Sequence, residues 1–195
     1  MTTPLRKARV FWPLALLLLL ADCSTKRWAS DNLQEHVPET VFGDVVQFTL
    51  AHNRGAAMGL SLGEYSRVGF TLLTGVALVA LFRLYRAADG GDVRLAAATA
   101  LVTGGAMGNL LDRLRWERGV VDFIDIGVGA SRFWIFNVAD VGVTLGATAL
   151  ALLLWQADGR VTPATPPGAA TPPGAATPAG AATDGTPTEG AGPLS

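Results

Sequence analysis

Two aspartates, Asp122 and Asp140, have the residue type and the surroundings for acid–base chemistry. Asp122 lies in GVVDFID and Asp140 lies in FNVAD, each beside a run of apolar residues. A carboxylate next to hydrocarbon is costly, so it is a candidate functional residue by default. If the two approach each other, they cannot both ionise easily, and one keeps a proton near neutral pH. The pair would then supply both a general base and a general acid.

Asp22 and Lys26 are four residues apart in DCSTK, at the end of an apolar segment. On a helix this spacing places both side chains on one face, where they can pair. Two interpretations stay open at this point. The pair either anchors the end of the helix, where an unpaired charge would be costly, or forms a polar wall of a site.

Three further motifs carry amide or guanidinium groups. Asn53 precedes small residues in HNRGAAMG, which indicates a tight loop with an amide able to bind a peptide backbone. Asn109 and Arg113 in GNLLDR lie about one helical turn apart, and Asn137 precedes Asp140 by three residues. Alone, each has an ordinary structural explanation: a turn, an Asp–Arg neighbour pair at 112–113, or a helix cap.

The bulk composition indicates a membrane protein. Of 195 residues, 50% are hydrophobic, and the mean hydropathy is +0.36. The net charge of −1 gives no basic field for nucleic acid. The single cysteine, Cys23, excludes a disulfide framework and a thiolate cluster, and two histidines are too few for a typical histidine-rich metal site. No metal or organic cofactor is expected.

Four segments have the length and polarity of membrane spans, at about residues 10–28, 68–85, 95–111 and 133–155. The third is rich in small residues and is expected inside the bundle. Residues 29–66 predict a short interfacial helix and then a small β element, and 112–132 a loop on the same side. The predicted fold is an all-α integral membrane protein with four transmembrane helices and a small extramembrane β element on the trans side.

Both ends of the chain invite separate interpretations. The basic start and the apolar run ending at Cys23 resemble a secretory signal, but Asp22 occupies the place where a lipidation box needs a small residue. We interpret the run as a retained first span. The basic N-terminal residues favour a cytoplasmic N-terminus, and four spans would return the C-terminus to the same side, although basic residues are nearly equal in number on the two sides. Residues 1–157 form the predicted membrane domain, and the Pro/Gly/Ala/Thr-rich segment 158–195 a disordered tail.

Taken together and in order, DCSTK, NRGAAMG, GNLLDR, VVDFID and FNVAD resemble the lipoprotein signal peptidases, the type II signal peptidases of bacteria. The likeness covers roughly residues 8–157. It implies that Asp122 and Asp140 are the catalytic aspartates. It also implies substrate or inhibitor contacts at six residues, namely Asp22, Lys26, Asn53, Asn109, Arg113 and Asn137. The chain departs from the family at Met58, where an aromatic residue is frequent, and at Arg118, directly before Gly119.

The resemblance implies an aspartyl endopeptidase of the bacterial cytoplasmic (inner) membrane, with its active site near the trans face. It would remove the signal peptide from a diacylglyceryl-modified prolipoprotein before the lipidated cysteine. Its partners would be that substrate and membrane lipid, with no nucleic acid, and the protein would be monomeric. Two alternatives belong to other functional classes. A proton-linked transporter or channel would need carboxylates nearer midspan or an internal repeat, and a membrane-anchored scaffold would depend on the tail.

Overall fold

The computed structural model describes residues 5–55 and 63–158. Within these ranges, the chain forms four long helices and one antiparallel sheet. The helices are α1 (Leu5–Asn32), α2 (Ser66–Ala87), α3 (Val93–Arg115) and α4 (Val138–Asp158). The strands are β1 (Glu39–Phe42), β2 (Val46–Asn53), β3 (Val120–Val128) and β4 (Ser131–Arg132), in that order across the sheet. The mainly helical fold with a small β element is therefore confirmed.

Three of the helices are long and apolar enough to cross a membrane, as judged by length and composition. Among the described residues these are Arg6–Asn32, Ser66–Ala87 and Val138–Ala157. α3 covers the predicted third span and has sufficient length, but its many small residues and its charged end lower its hydropathy. A fourth transmembrane helix therefore stays a prediction.

α3 lies at the centre of the helices and packs against α1 and α4 through small residues. A Cβ atom on Gly104 would lie 2.7 Å from the Ala15 carbonyl oxygen of α1. A Cβ atom on Gly105 would overlap the Ala139 carbonyl oxygen of α4. Glycine at these positions lets three backbones approach closely, which confirms the prediction that this segment lies inside the bundle.

α2 is peripheral by comparison. It packs on α3 and leaves large apolar side chains exposed along its length, including Leu72, Leu73, Val76 and Val79. Its last turn is held by α1, because the Lys7 ammonium donates to the carbonyl oxygens of Tyr85 at 2.9 Å and Ala88 at 2.5 Å. These bonds satisfy carbonyl groups that a helix end leaves without intrahelical partners.

The sheet packs on the C-terminal end of α1. Trp28 contacts Phe48 of β2 edge to face, with ring centroids 5.3 Å apart, and Phe48 contacts Phe123 of β3 at 5.9 Å. β2 and β3 are antiparallel, with Ala51 opposite Asp122. This pairing gives Asp122 a rigid position beside the end of β2.

Three boundary predictions are wrong. Residues 112–132 contain β3 and β4 and are not simply a loop, because a short apolar run can form a buried strand. The interfacial helix predicted after residue 29 is absent from the described residues there, since α1 itself continues to Asn32 and the positive φ of His36 (61°) and Pro38 oppose a new helix.

The start of the fourth span is the third correction. α4 begins at Val138, because the residues predicted as its first turn extend along β3 instead. The Phe133 amide donates to the Ile126 carbonyl at 2.7 Å, and the Phe136 amide donates to the Ile124 carbonyl at 3.0 Å. The predicted tail falls almost wholly outside the described residues, which end with α4 at Asp158.

Candidate active site

Asp122 is almost fully buried in β3, at 3% exposure. Its Oδ1 accepts a hydrogen bond from the Asn137 amide nitrogen at 2.6 Å, and its Oδ2 accepts one from the Asn53 amide nitrogen at 3.1 Å. Burial and, second, the negative charge of Asp140 raise the pKa of Asp122 to about 7, against the two amide hydrogen bonds. The apolar neighbours of Asp122 in GVVDFID predicted a shift in this direction.

Asp140 lies in the first turn of α4 and caps it reciprocally with Asn137. The Asp140 backbone N–H donates to Asn137 Oδ1 at 3.0 Å, and the Asn137 backbone N–H donates to Asp140 Oδ2 at 3.1 Å. This is a capping box with an Asn and an Asp, and the helix N-terminus favours negative charge there. The remaining oxygen, Oδ1, accepts from the Asn109 amide nitrogen at 2.8 Å. Asp140 is thus a cap and also a residue of the cavity described below.

Asn137 joins the two aspartates, which we call the acid pair. It is fully buried, and its amide nitrogen reaches Asp122, the Val121 carbonyl at 3.3 Å and Asn109 Oδ1 at 3.1 Å. Its backbone and side chain also hold Asp140. The pair predicted from two separate motifs is therefore brought together by β3, the start of α4 and three asparagine amides.

Arg113 supplies a positive charge beside the acid pair. It is 8% exposed, and its guanidinium donates to the Asn109 carbonyl at 3.2 Å and to the Gly55 carbonyl at 3.1 Å. Gly55 is the last described residue before the segment 56–62, so Met58, where the chain departs from the family pattern, lies outside the described residues. The hydrogen bond to Gly55 ties the loop after β2 to α3.

A cavity of about 330 Å³ opens over the acid pair. This volume is within the range of small ligand sites. Its lining contains both polar and apolar side chains, and we call the apolar set the apolar wall. The described lining residues are Asn53, Asn109, Arg113, Asp122, Asp140 and Thr144 on the polar side, and Val120, Phe133, Trp134, Ile135, Phe136, Val141 and Leu145 on the apolar side.

Sequence reasoning missed much of this apolar wall. Phe133 and Trp134 were assigned to a membrane span, yet both are exposed and line the cavity. Thr144, one turn after Asp140, was not considered. The run FWIF at residues 133–136, directly before Asn137, is the available signal, since four bulky residues ahead of a helix cap need a surface to contact.

Asp22 and Lys26 are predicted site residues that are not among the described lining residues. Lys26 Nζ lies 2.8 Å from Asp22 Oδ2 and 3.0 Å from Asp112 Oδ2, and it donates to Asn109 Oδ1 at 2.8 Å. Asp22 Oδ1 accepts from the Ala139 amide at 2.9 Å. The predicted ion pair is present, and the Asn109 side chain lies between it and Asp140. We call Asp22, Lys26 and Asp112 the ion cluster; Asp112 was treated from sequence only as part of an Asp–Arg neighbour pair.

Gly119 holds the end of β2 in place. Its φ of 96° lies in the region that favours glycine, and a Cβ atom there would overlap the Asn53 carbonyl. The turn before it is supported by Arg118, whose guanidinium lies 5.4 Å from the Trp116 ring centroid. Close packing of this turn against Asn53 positions the amide that binds Asp122.

The site contains no cluster suited to a metal ion among the described residues, where no group of three His, Cys, Asp or Glu side chains has the required arrangement. The acid pair is instead surrounded by amides and one guanidinium. This environment suits proton transfer and hydrogen bonding to a peptide.

Comparison with known proteins gives consistent matches. A family model described as signal peptidase (SPase) II matches residues 14–156. A lipoprotein signal peptidase of Moorella thermoacetica is 38% identical over 148 residues, which is 75% of this chain and 91% of that protein. One of Halothermothrix orenii is 34% identical over 142 residues, 72% and 92% of the two chains. A solved bacterial membrane enzyme matches with a TM-score of 0.69 and 28% identity, over 77% of this chain and 90% of that one.

Proposed function

Since the chain belongs to the signal peptidase II family, we propose that it is a membrane aspartyl endopeptidase. It removes the signal peptide from diacylglyceryl-modified prolipoproteins, just before the lipidated cysteine. The observation that carries the aspartyl mechanism is the acid pair itself, because Asp122 and Asp140 share Asn137 and line one cavity.

The surroundings of the two carboxyl groups suggest different starting states. Asp140 accepts hydrogen bonds from the Asn109 side chain and from the Asn137 backbone at the start of α4, and we assign it the role of proton acceptor. Asp122 is buried, and its raised pKa, about 7, favours a proton near neutral pH. The two act as a coupled pair, so this is the preferred distribution of one proton over both.

The reaction then follows from this distribution. Asp140 takes a proton from water as the water oxygen attacks the scissile carbonyl carbon. Asp122 donates its hydrogen bond and proton to the carbonyl oxygen, which stabilises the tetrahedral intermediate. When the C–N bond breaks, the amine nitrogen takes the proton from Asp140, and a hydroxyl group of the intermediate returns its proton to Asp122. The products are a free carboxyl group on the signal peptide and a free amine on the lipidated cysteine.

Asn53, Asn109 and Arg113 line the cavity where the peptide would bind. The Asn53 side-chain amide also donates to Asp122, so this residue holds an acid as well as lining the cavity. Arg113 lies beside the acid pair and is suited to a peptide carbonyl. Substrate contacts at these three residues are consistent with their positions, whereas Asn137 is fully buried, does not line the described cavity and holds Asp122 instead.

The apolar wall supports a lipid-modified substrate. Trp134, Val141 and Leu145 line the cavity and are exposed, so they offer an apolar surface to acyl chains. Acyl chains there would bury methylene groups worth about 0.8 kcal/mol each at most. Lipid and the modified precursor are thus the partners that the site favours, with the protein acting as a monomer.

The proposed orientation places both termini in the cytoplasm and the site near the trans face, with α3 as a fourth span. The site residues lie at the ends of α1 and α3 and at the start of α4, so they occupy one end of the bundle. The basic N-terminal tail favours the cytoplasm. Reporter fusions after Gly43 and Gly90 are expected to read outside and inside; a cytoplasmic signal at Gly43 would contradict this orientation.

The deciding experiment is cleavage of a lipidated precursor by the purified protein in detergent. Mass spectrometry of the products is expected to show a new N-terminus at the lipidated cysteine. The matched control is the same precursor with an unmodified cysteine, which is expected to react poorly. An intact lipidated precursor, or a cut at another bond, would refute the proposal.

A further inference from the structure

Asn109 holds a single amide orientation because its oxygen faces donors only. An amide oxygen and nitrogen look alike in shape, so their assignment depends on the hydrogen-bond network. The Lys26 ammonium can only donate, and it lies 2.8 Å from one end of the amide, which must therefore be the oxygen. The Asn137 amide nitrogen reaches the same oxygen at 3.1 Å.

The other end of that amide faces the acid pair. With Oδ1 held by Lys26, the Asn109 NH₂ group points at Asp140 Oδ1, at 2.8 Å. In the reversed orientation, an amide oxygen would face the carboxylate, and a favourable hydrogen bond would become a repulsion. The orientation of one amide thus decides whether Asp140 gains a donor or an unfavourable neighbour.

Lys26 is itself held firmly. Its side chain is 4% exposed and is fixed between Asp22, which is fully buried, and Asp112. Asp22 is fixed in turn by the Ala139 amide, next to Asp140 in α4. A lysine held by two carboxylates has little freedom to turn toward a ligand, and Lys26 does not line the described cavity.

We infer that Lys26 is a positioning residue: through the Asn109 amide it aims a hydrogen-bond donor at Asp140. This inference rests on the proposed function for its kinetic consequences, while the amide orientation itself does not depend on it. It replaces the expectation that Lys26 and Asp22 contact substrate. It also gives a role to the position of Lys26, which is separated from Asp140 by the Asn109 side chain.

The test is a double-mutant cycle of Lys26→Met and Asn109→Ala, measured under single-turnover conditions with lipidated precursor. Lys26→Met keeps the apolar stem and removes the donor, and is expected to lower kcat about 10- to 100-fold with KM nearly unchanged. In the Asn109→Ala background the same change is expected to cost little more, because the amide that it orients is gone. Losses that multiply, or a raised KM with normal kcat, would overturn the inference.

Two further variants control this cycle. Arg27→Met removes the neighbouring cation, which is exposed and paired with Asp31 at 2.6 Å, and is expected to leave kcat unchanged. If Lys26→Met alone does not fold, Asp22→Asn/Lys26→Met removes the ion pair without leaving Asp22 as an unpaired buried charge, and replaces it in the cycle. Lys26→Arg keeps charge and donors, and is expected to retain most of kcat.

A measurement without catalysis separates this inference from the proposed function. The side-chain amide signals of Asn109 in NMR spectra, identified by their loss in Asn109→Ala, are expected to shift in Lys26→Met and to stay fixed in Arg27→Met. Unchanged signals in Lys26→Met would refute the positioning role. If the wild-type protein cleaves no lipidated precursor but these signals shift, the proposed function fails and the positioning role of Lys26 survives.

Discussion

The acid pair and the ion cluster are two groups of buried and partly buried carboxylates that share Asn109 but have different neighbours. In the ion cluster, Lys26 lies within 3.0 Å of both Asp22 and Asp112, so an opposite charge counters the cost of burial. In the acid pair, Asp122 and Asp140 are held mainly by asparagine amides, with Arg113 nearby. Amides stabilise a carboxylate less than a cation does, and burial together with the charge of Asp140 raises the pKa of Asp122 to about 7.

This difference separates structure from chemistry. A charge-paired carboxylate is a poor proton carrier, because the cation holds it ionised. A carboxylate held by neutral donors can change its protonation state near neutral pH, which general acid–base catalysis requires. Neighbouring aspartates can therefore differ in function because some contact a cation and others contact neutral amides.

The largest expected effect breaks the acid pair. Asp122→Asn and Asp140→Asn keep side-chain size and remove the ionisable group, so each is expected to lower kcat by at least about 10²–10⁴-fold. The double variant is expected to be little worse than either single one, because the two residues act as a unit. Cleavage of lipidated precursor measures this, with circular dichroism as the control for folding. A two-fold loss in either variant would remove that aspartate from the mechanism.

The ion cluster is expected to respond in stability. Asp22→Leu leaves Lys26 with only the partly exposed Asp112, and breaking a buried ion pair by removing one partner costs about 3–5 kcal/mol. Thermal unfolding in detergent is expected to show a large fall in Tm for Asp22→Leu and a small change for Asp122→Asn. Equal losses of stability in the two variants would remove the contrast between the two clusters.

The pH dependence of wild-type activity sharpens the contrast further. The pKa of Asp122 is raised to about 7 by burial and by Asp140, so Asp122 loses its proton as the pH rises through that value. If this proton is required, kcat falls above about pH 7, by about tenfold for each further pH unit. An activity that stays flat up to pH 9 would show that Asp122 does not act as the acid.

The same shift affects folding stability. The pKa of Asp122 in the folded protein lies above the ordinary aspartate value of 3.8, so the stability due to Asp122 is fully present below pH 3.8 and is lost as the pH rises toward 7. Asp122→Asn is expected to remove this loss, leaving a flatter dependence of Tm on pH between 4 and 7. A wild-type and a variant profile of equal slope would contradict the burial argument.

The smallest expected effect is that of the tail. Both carboxylate groups are built from described residues between positions 22 and 140, and the Pro/Gly/Ala/Thr composition of residues 159–195 cannot support a core. A chain ending at Gly159 is expected to cleave lipidated precursor at the wild-type rate and to unfold at the same temperature. A large loss of activity with normal expression would favour a role of the tail that the two clusters do not explain.

Much of the site was accessible from sequence because its signals are local. The four-residue spacing of Asp22 and Lys26 predicted their ion pair, and the three-residue spacing of Asn137 and Asp140 places both at the start of α4. The apolar neighbours of Asp122 predicted the direction of its pKa shift. The small residues of α3 predicted its central position.

Other parts depend on contacts between distant segments. Lys26 and Asn109 are 83 residues apart, and no local pattern shows that one orients the other. The pairing of β2 with β3 places Ala51 opposite Asp122, but an apolar run such as VVDFIDI is compatible with a loop, a strand or a helix until its partner is known. The wall that begins at Phe133 was read as helix for the same reason.

The glycine-lined packing of α3 also has a consequence for how the protein is made. By length and composition, α1, α2 and α4 are apolar enough to cross a membrane, whereas the described α3 falls short of that hydropathy. If it spans the membrane, as proposed, its insertion relies on α1 being there already and on α4 following, because they supply the surfaces its glycines fit. A bulky residue at Gly105 would then act during biogenesis, as a topology defect removed by quality control, before any effect on turnover could be measured.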